Sequence, residues 1–143
     1  MSRMVPMAVA CPCGQPQAYE ACCGRFHAAW ARGDHAAMAP GPEALMRSRY
    51  TAFVYDLRPY LLATWHPDTR PAEIEPPEPG LRWLGLTVQR VGSTGGGDEG
   101  TVAFVARYKI GGRAHRLVEH SRFVRESGIW LYVAALDGAV PVS

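Results

Sequence analysis

The sequence predicts an α+β fold in which helices cover one face of a four-stranded antiparallel sheet, preceded by a small cysteine-bearing unit. Three observations carry this. Apolar residues recur at helical spacing between Glu43 and Leu57. From Trp83 onward the pattern changes to alternation in four runs separated by glycine-rich turns. All four cysteines fall between Cys11 and Cys23.

The bulk properties narrow the class. At 143 residues the chain suits one ordinary domain with a small appendage. A hydrophobic share of 48% with 20% charged residues is globular and excludes global disorder. A formal charge of +2 neither demands nor excludes a nucleic-acid partner. No apolar run reaches the length of a membrane span. Met1–Ala10 is mildly apolar but lacks the long core of a signal peptide. A cytoplasmic location is therefore expected, where thiols stay reduced and a cysteine cluster favours metal over disulfide.

Residues 11–33 form the first unit. The spacing Cys11-Pro-Cys13, then eight residues, then Cys22-Cys23, offers four soft donors to a closed tetrahedral site and points to zinc, Zn2+. Four unliganded cysteines, or a strained Cys22–Cys23 disulfide, are the alternatives. Four thiolates leave no open coordination position, so such a site organises structure and does not activate water. Their negative charge has Arg25 and Arg32 nearby to balance it; His27 reads as an exposed residue, an outer neighbour or a substitute ligand. Gly14 permits the tight turn between the first pair. Gln17–Ala31 reads as one helix, or as two short turns broken at Gly24, with Phe26 and Trp30 on a shared face.

Residues 34–42 read as a linker ending in Pro40-Gly41-Pro42, with Pro42 at the first helical position of the next element. In the helix from Glu43 to Leu57, residues Leu45, Met46, Tyr50, Ala52, Phe53 and Leu57 share one arc, with Arg47, Ser48, Thr51 and Tyr55 opposite. Arg49 falls inside the apolar arc. A shorter helix is expected from Pro59 to Trp65, stopped by Pro67. Pro71–Gly80 reads as an exposed loop. Strands follow at 83–91, 101–110, 114–125 and 129–136, with turns at Gly111-Gly112 and Ser127-Gly128 and a tail that frays after Gly138. The glycines of 92–100 lack the strand-to-helix setting of a phosphate cradle and read as a loose hairpin loop.

Arg49 needs a partner if it is buried, because an unpaired buried charge is costly. In the third strand Arg116, Val118, His120 and Arg122 form one face and Leu117, Glu119, Ser121 and Phe123 the other. The first face suits solvent, which turns Glu119 inward and predicts an Arg49–Glu119 ion pair. Tyr108 points inward by the same parity, and Trp65-His66 closes the second helix beside it. Arg49, Glu119, His66, Tyr108 and Trp65 are thus the candidate cavity residues. Trp83 and Trp130 read as core or rim. Arg116, Arg122 and His120 make a modest basic stripe, but no aromatic residues interleave for base stacking, and a solvated face is the simpler reading.

Two stretches resemble known families. CPCGQPQAYEACCG at 11–24 resembles the SEC-C motif, the zinc module named for the carboxyl end of the SecA translocation ATPase. LMRSRYTAFVYDLRPYLLATWHP at 45–67, WLGL at 83–86 and VAFVARYKIGGRAHRLVEHSRFVRESGIW at 102–130 resemble the YchJ-like family. The resemblance implies a SEC-C zinc module at 1–33, a linker at 34–42 and an NTF2-like domain at 43–143, a curved sheet wrapped around helices that often leaves a conical pocket. The motif usually follows its second cysteine with Gly-Ser-Gly, where this chain has Gly14-Gln15-Pro16. All four ligand positions survive.

The expected function is that of an adaptor, its zinc module docking on a protein or ribosomal partner. The alternative is a small-molecule binder or enzyme using the cone. NTF2-like enzymes such as ketosteroid isomerases set a carboxylate or histidine beside a tyrosine, and Glu119, His66 and Tyr108 supply those types. An arginine locked on Glu119 would occupy the base and argue against catalysis. The discriminating observation is whether the cone is open or filled by Phe53, Phe104, Phe123 and Tyr108.

Overall fold

A computed structural model describes residues 9–93, 96–136 and 140–142, the last three by backbone alone. The expected Met1–Ala10 segment lies almost wholly outside the described residues. The cysteine unit folds as a 3-10 turn, Tyr19–Ala21, leading into helix α1, Cys23–Ala31. Gly24 does not break this helix. It lies within it, at a position that requires glycine because a Cβ there would come 2.7 Å from the Tyr19 carbonyl oxygen and 3.0 Å from the Tyr19 ring. A second 3-10 turn, His35–Ala37, occupies the segment read as a linker.

Helix α2, Pro42–Val54, starts with its proline at the first position. It stops before Leu57, since Asp56 adopts a left-handed conformation (φ 57) and the Leu57 amide turns back to the Ala52 carbonyl. Helix α3, Arg58–Ala63, also ends early. Trp65 leaves it to form a parallel bridge with Tyr132, using the bonds Tyr132 N–H to Thr64 O and His66 N–H to Tyr132 O, both 2.8 Å.

The strands are β1 (Arg82–Ser93), β2 (Glu99–Ile110), β3 (Arg113–Glu126), β4 (Ile129–Ala135) and β5 (Val140–Val142). They form an antiparallel sheet in the order β1-β2-β3-β4, with β5 also on β3. The hairpins turn at Gly111-Gly112 (φ 58, 78) and Ser127-Gly128 (φ 53, 79), the paired left-handed conformations of a two-residue turn that matches strand twist. The tail does not simply fray. Strand β4 covers positions 121–126 of β3, leaving an open edge at 116–118 that Val140–Val142 pairs. Pro141 is tolerated because the pairing is at an edge. No helix among the described residues is long and apolar enough to cross a membrane.

Helix α2 is buried on two opposite sides. Leu45, Met46 and Tyr50 face the sheet, in one apolar cluster with Leu86, Phe104, Phe123 and Trp130. Ser48 and Thr51, expected opposite the apolar arc, are fully buried under α1 and α3. Amphipathic periodicity assigns one covered face, and here there are two. Phe53, expected in the core, is 38% exposed. Trp130 is buried and donates to the Pro40 carbonyl at 3.1 Å, tying residues before α2 to β4.

Gly24→Ala should cost about 1–3 kcal/mol through overpacking against Tyr19. Chemical denaturation checks this; an unchanged midpoint would mean that the α1 entry relaxes freely.

Candidate metal centre and cavity

The Sγ atoms of Cys11, Cys13, Cys22 and Cys23 all lie within 4.8 Å of one another, and the four residues are buried and unbridged. Cys13 and Cys22 Sγ stand 3.6 Å apart. A tetrahedral ion with Zn–S bonds near 2.3 Å would need sulfurs about 3.8 Å apart, so the spacing fits coordination and not a disulfide. The loop is closed by Cys11 N–H to Gln17 O (3.0 Å) and Gly14 N–H to Cys11 O (3.3 Å). Gly14 has φ +95 and sits on β1, where a Cβ would reach 3.2 Å from the Leu86 oxygen. Cys22 caps α1 and Cys23 opens it, which points the positive helix end at the sulfurs.

Cys13, Cys22 and Cys23 hold their protons unequally. Cys13 is lowered to about 5, mainly by the hydrogen bond from Cys23, with burial opposing. Cys22 is raised to about 11, first by burial and then by its contacts with Cys13. Cys23 is pushed well up, first by its bond to Cys13 and then by burial. Cys13 therefore favours the thiolate, and Cys22 and Cys23 resist ionising without a cation. A soft divalent ion resolves this, and the donor set fits one. Positive charge arrives differently than expected. Arg25 Nε donates to the Cys22 carbonyl at 3.0 Å, and Arg47 Nη1 to the Cys13 carbonyl at 2.7 Å, whereas Arg32 pairs with Asp34. Thr51 Oγ1 lies 3.7 Å from Cys11 Sγ.

His27 is not exposed, nor is it one of the clustered ligands. It is buried, with Nε2 donating to the Ser48 carbonyl (2.8 Å) and Nδ1 accepting from the Tyr19 hydroxyl (2.7 Å). The Ser48 hydroxyl continues the chain to Tyr60 at 2.7 Å. His27 thus fastens the cysteine unit to α2.

A cavity of about 300 Å³ lies between α2 and the inner face of the sheet, so the cone is open and not filled. Arg49, Glu119 and Trp65 line it together with Phe104, Ser121 and Tyr132. Arg49 is buried, its Nη1 donating to the Leu61 carbonyl (2.7 Å) and to Thr64 Oγ1 (2.8 Å). Its Cζ sits 4.7 Å from the Tyr132 ring centre and 5.0 Å from that of Trp65. Burial lowers it to about 10, partly offset by Tyr132, Tyr60 and Glu119, so it remains a cation at neutral pH.

The expected direct Arg49–Glu119 pair is not made. Glu119 accepts instead from the Ser121 hydroxyl and from the Tyr132 hydroxyl, the latter at 3.2 Å. The parity of β3 was legible, but two nearer donors hold the carboxylate, and Tyr132 stands between the charges. His66 lies outside the cavity. Its Nε2 donates to Glu126 at 2.8 Å and its Nδ1 accepts from the Asp68 amide. Tyr108 faces inward but beyond the cavity, between Trp83 (ring centres 5.6 Å) and a stacked His115 (5.1 Å). Tyr132 is the residue that sequence reasoning missed. Its pairing with inward Phe123 carries the signal, once the β3–β4 register is known.

The comparisons with known proteins agree with this arrangement. Residues 41–135 match the model described as YchJ, middle NTF2-like domain. The chain belongs to the YchJ-like family. A UPF0225 protein of Methylibium petroleiphilum is 58% identical over 130 residues, covering 91% of this chain and 88% of that protein. One from Bordetella parapertussis is 53% identical over 124 residues, covering 87% and 90%. The solution structure of a SEC-C motif-containing protein from Rhodopseudomonas palustris is similar with TM-score 0.71 and 29% identity, covering 89% of this chain and 97% of that one. The crystal structure of a SEC-C motif-containing protein from Psychrobacter arcticus also gives TM-score 0.71, at 23% identity, over 87% of this chain and 80% of that one, and supports the fold. The YchJ-like chain therefore joins a cysteine cluster able to hold a metal to an NTF2-like domain.

Two outcomes are expected. The purified protein should carry about one divalent ion per chain, and a strong chelator should lower its melting temperature; metal analysis with thermal denaturation checks this, and no metal with an unchanged melt would sink it. For His27, burial lowers the folded pKa, the Ser48 bond opposing. The unfolded chain therefore takes up the proton first, so its stabilising effect is full above about pH 6.5 and is lost as pH falls through the folded value. Metal-loaded wild type should lose stability between pH 7 and 5.5 more steeply than His27→Gln; equal slopes would contradict the assignment.

Proposed function

We propose that this YchJ-like protein is a cytoplasmic, zinc-stabilised binder of a small, planar, largely apolar molecule that carries a hydrogen-bond acceptor. The observation behind this is Arg49, a buried cation on the wall of an open aromatic cavity, held through Nη1 and, among the described residues, with no carboxylate bonded to it. Trp65, on the same wall, keeps a buried indole N–H with no acceptor among the described residues. Glu119 offers an acceptor across the cavity, so a single ring or fused ring pair with one polar edge matches both sides. In this reading zinc in the four-cysteine site supports the fold and takes no part in binding.

The adaptor reading, in which the SEC-C module docks on a protein or ribosomal partner, draws on a different feature. A surface groove of about 940 Å³ runs along the outer side of α1 and α3, past Tyr19, Trp30 and Leu57. Because the cysteines share a core with α2, cysteine variants would unfold more than the module. Trp30→Ala is the cleaner probe for a lost partner in a pull-down.

For the cavity, benzoate, indole-3-carboxylate and their neutral amides should shift the Trp65 indole resonance in NMR titrations. Ala106→Leu, which fills the cavity, should keep the fold and abolish the shifts. No shift with any probe, together with no co-purified molecule in native mass spectrometry, would end this reading.

A further inference from the structure

The cations of the sheet are unevenly partnered. At one end Arg122 pairs with Glu99 at 2.5 Å and Arg125 with Asp98 at 2.6 Å. At the other end the register sets Arg82 opposite Lys109 and Arg107 opposite Arg116. Trp83, Ala106, Tyr108 and Leu117, their neighbours along the strands, face inward, so these four face outward. Like charges directly opposite one another destabilise a sheet. Between positions 79 and 118 the only carboxylates are Asp98 and Glu99, both engaged elsewhere. Among the described residues no carboxylate pairs with any of the four.

The corner is built to hold these groups. Arg82, Lys109 and Arg116 are exposed. Arg107 Nη1 donates to Thr87 Oγ1 at 3.1 Å, and its guanidinium lies over Gly85, where a Cβ would come 2.8 Å from Nη2. Glycine at 85 therefore lets the guanidinium lie flat on the strand. Arg90, exposed on the edge strand, extends the patch.

We propose that this corner docks the phosphate backbone of a nucleic acid. Cross-strand partners stand about 5 Å apart and successive outward rows about 7 Å. One small anion cannot neutralise such a quadrilateral, whereas a run of phosphates can. Arginine supplies three of the four cations, and its fork matches phosphate oxygens. The adjacent outward positions Gly85, Thr87, Val105 and Val118 carry no aromatic ring, either to stack on bases or to insert into a bilayer. Binding is therefore through phosphates and independent of sequence.

Fluorescence anisotropy of the full chain with a labelled, mixed-sequence 20-nucleotide RNA tests this. Binding is expected at 50 mM salt, with log affinity falling against log salt at a slope of about −3. The Arg82→Glu/Arg116→Glu variant should weaken it about tenfold or more. That variant should melt no lower than wild type, because each new carboxylate faces a cation across the ladder. Arg107→Gln/Lys109→Gln, without charge reversal, should also weaken binding, while Arg58→Glu, away from this corner, should not. The proposal is overturned by absence of binding at 50 mM salt, by binding that survives both double variants, by an equal loss in Arg58→Glu, or by tighter binding to phosphatidylglycerol vesicles than to RNA.

Discussion

The double burial of helix α2 is the constraint on which the rest of this fold depends. A helix covered on one side can leave its polar residues to water. Covered on both, it must satisfy Ser48, Arg49 and Thr51 inside the protein. Each finds a different solution. Ser48 donates to Leu45 and meets Tyr60, while its carbonyl receives His27. Thr51 turns to the Cys11 sulfur, and Arg49 to the end of α3. These bonds join the cysteine unit, α2 and α3 as one polar seam beneath the apolar core.

Much of this was legible in the sequence where period and turn chemistry agree. The alternation of Val102, Phe104 and Ala106 and the two-residue turns at 111–112 and 127–128 specify the central hairpins. The cysteine spacing specifies the cluster. What was not legible depends on what covers a face from outside the element. Periodicity put Ser48 and Thr51 opposite the apolar arc, and nothing local in the sequence says that α1 lies over them. The same lack of context misassigned His27 and Gly24. Both are set by contact with Tyr19, earlier in the chain but adjacent in space.

The Arg49–Glu119 expectation shows where parity stops being enough. Strand alternation correctly turned Glu119 inward, yet a carboxylate bonds the nearest donors with good geometry. Ser121, two residues along the same face, and Tyr132 on the next strand are nearer than the helix. Arg49 is left stabilised by carbonyl and hydroxyl acceptors, by two aromatic faces and by the Glu119 charge at longer range. A cation so held remains charged without being neutralised by contact. That distinguishes a cavity wall from a buried salt bridge, whose charges are already spent on each other.

The cysteine cluster and the cavity share a helix, and this couples them physically. Thr51 reaches Cys11 from one side of α2, while Arg49, two residues earlier, reaches the cavity from another. Arg47 binds the Cys13 carbonyl one turn before Tyr50, which lines the same cavity. Interiors packed at crystal density do not absorb such shifts locally. A cysteine loop that moves against α2 therefore moves the guanidinium as well. Four sulfurs gathered on one ion would hold that loop more firmly than its backbone hydrogen bonds alone. A metal bound there would in this way keep the helix that carries Arg49 at a fixed height above the sheet, without touching the cavity.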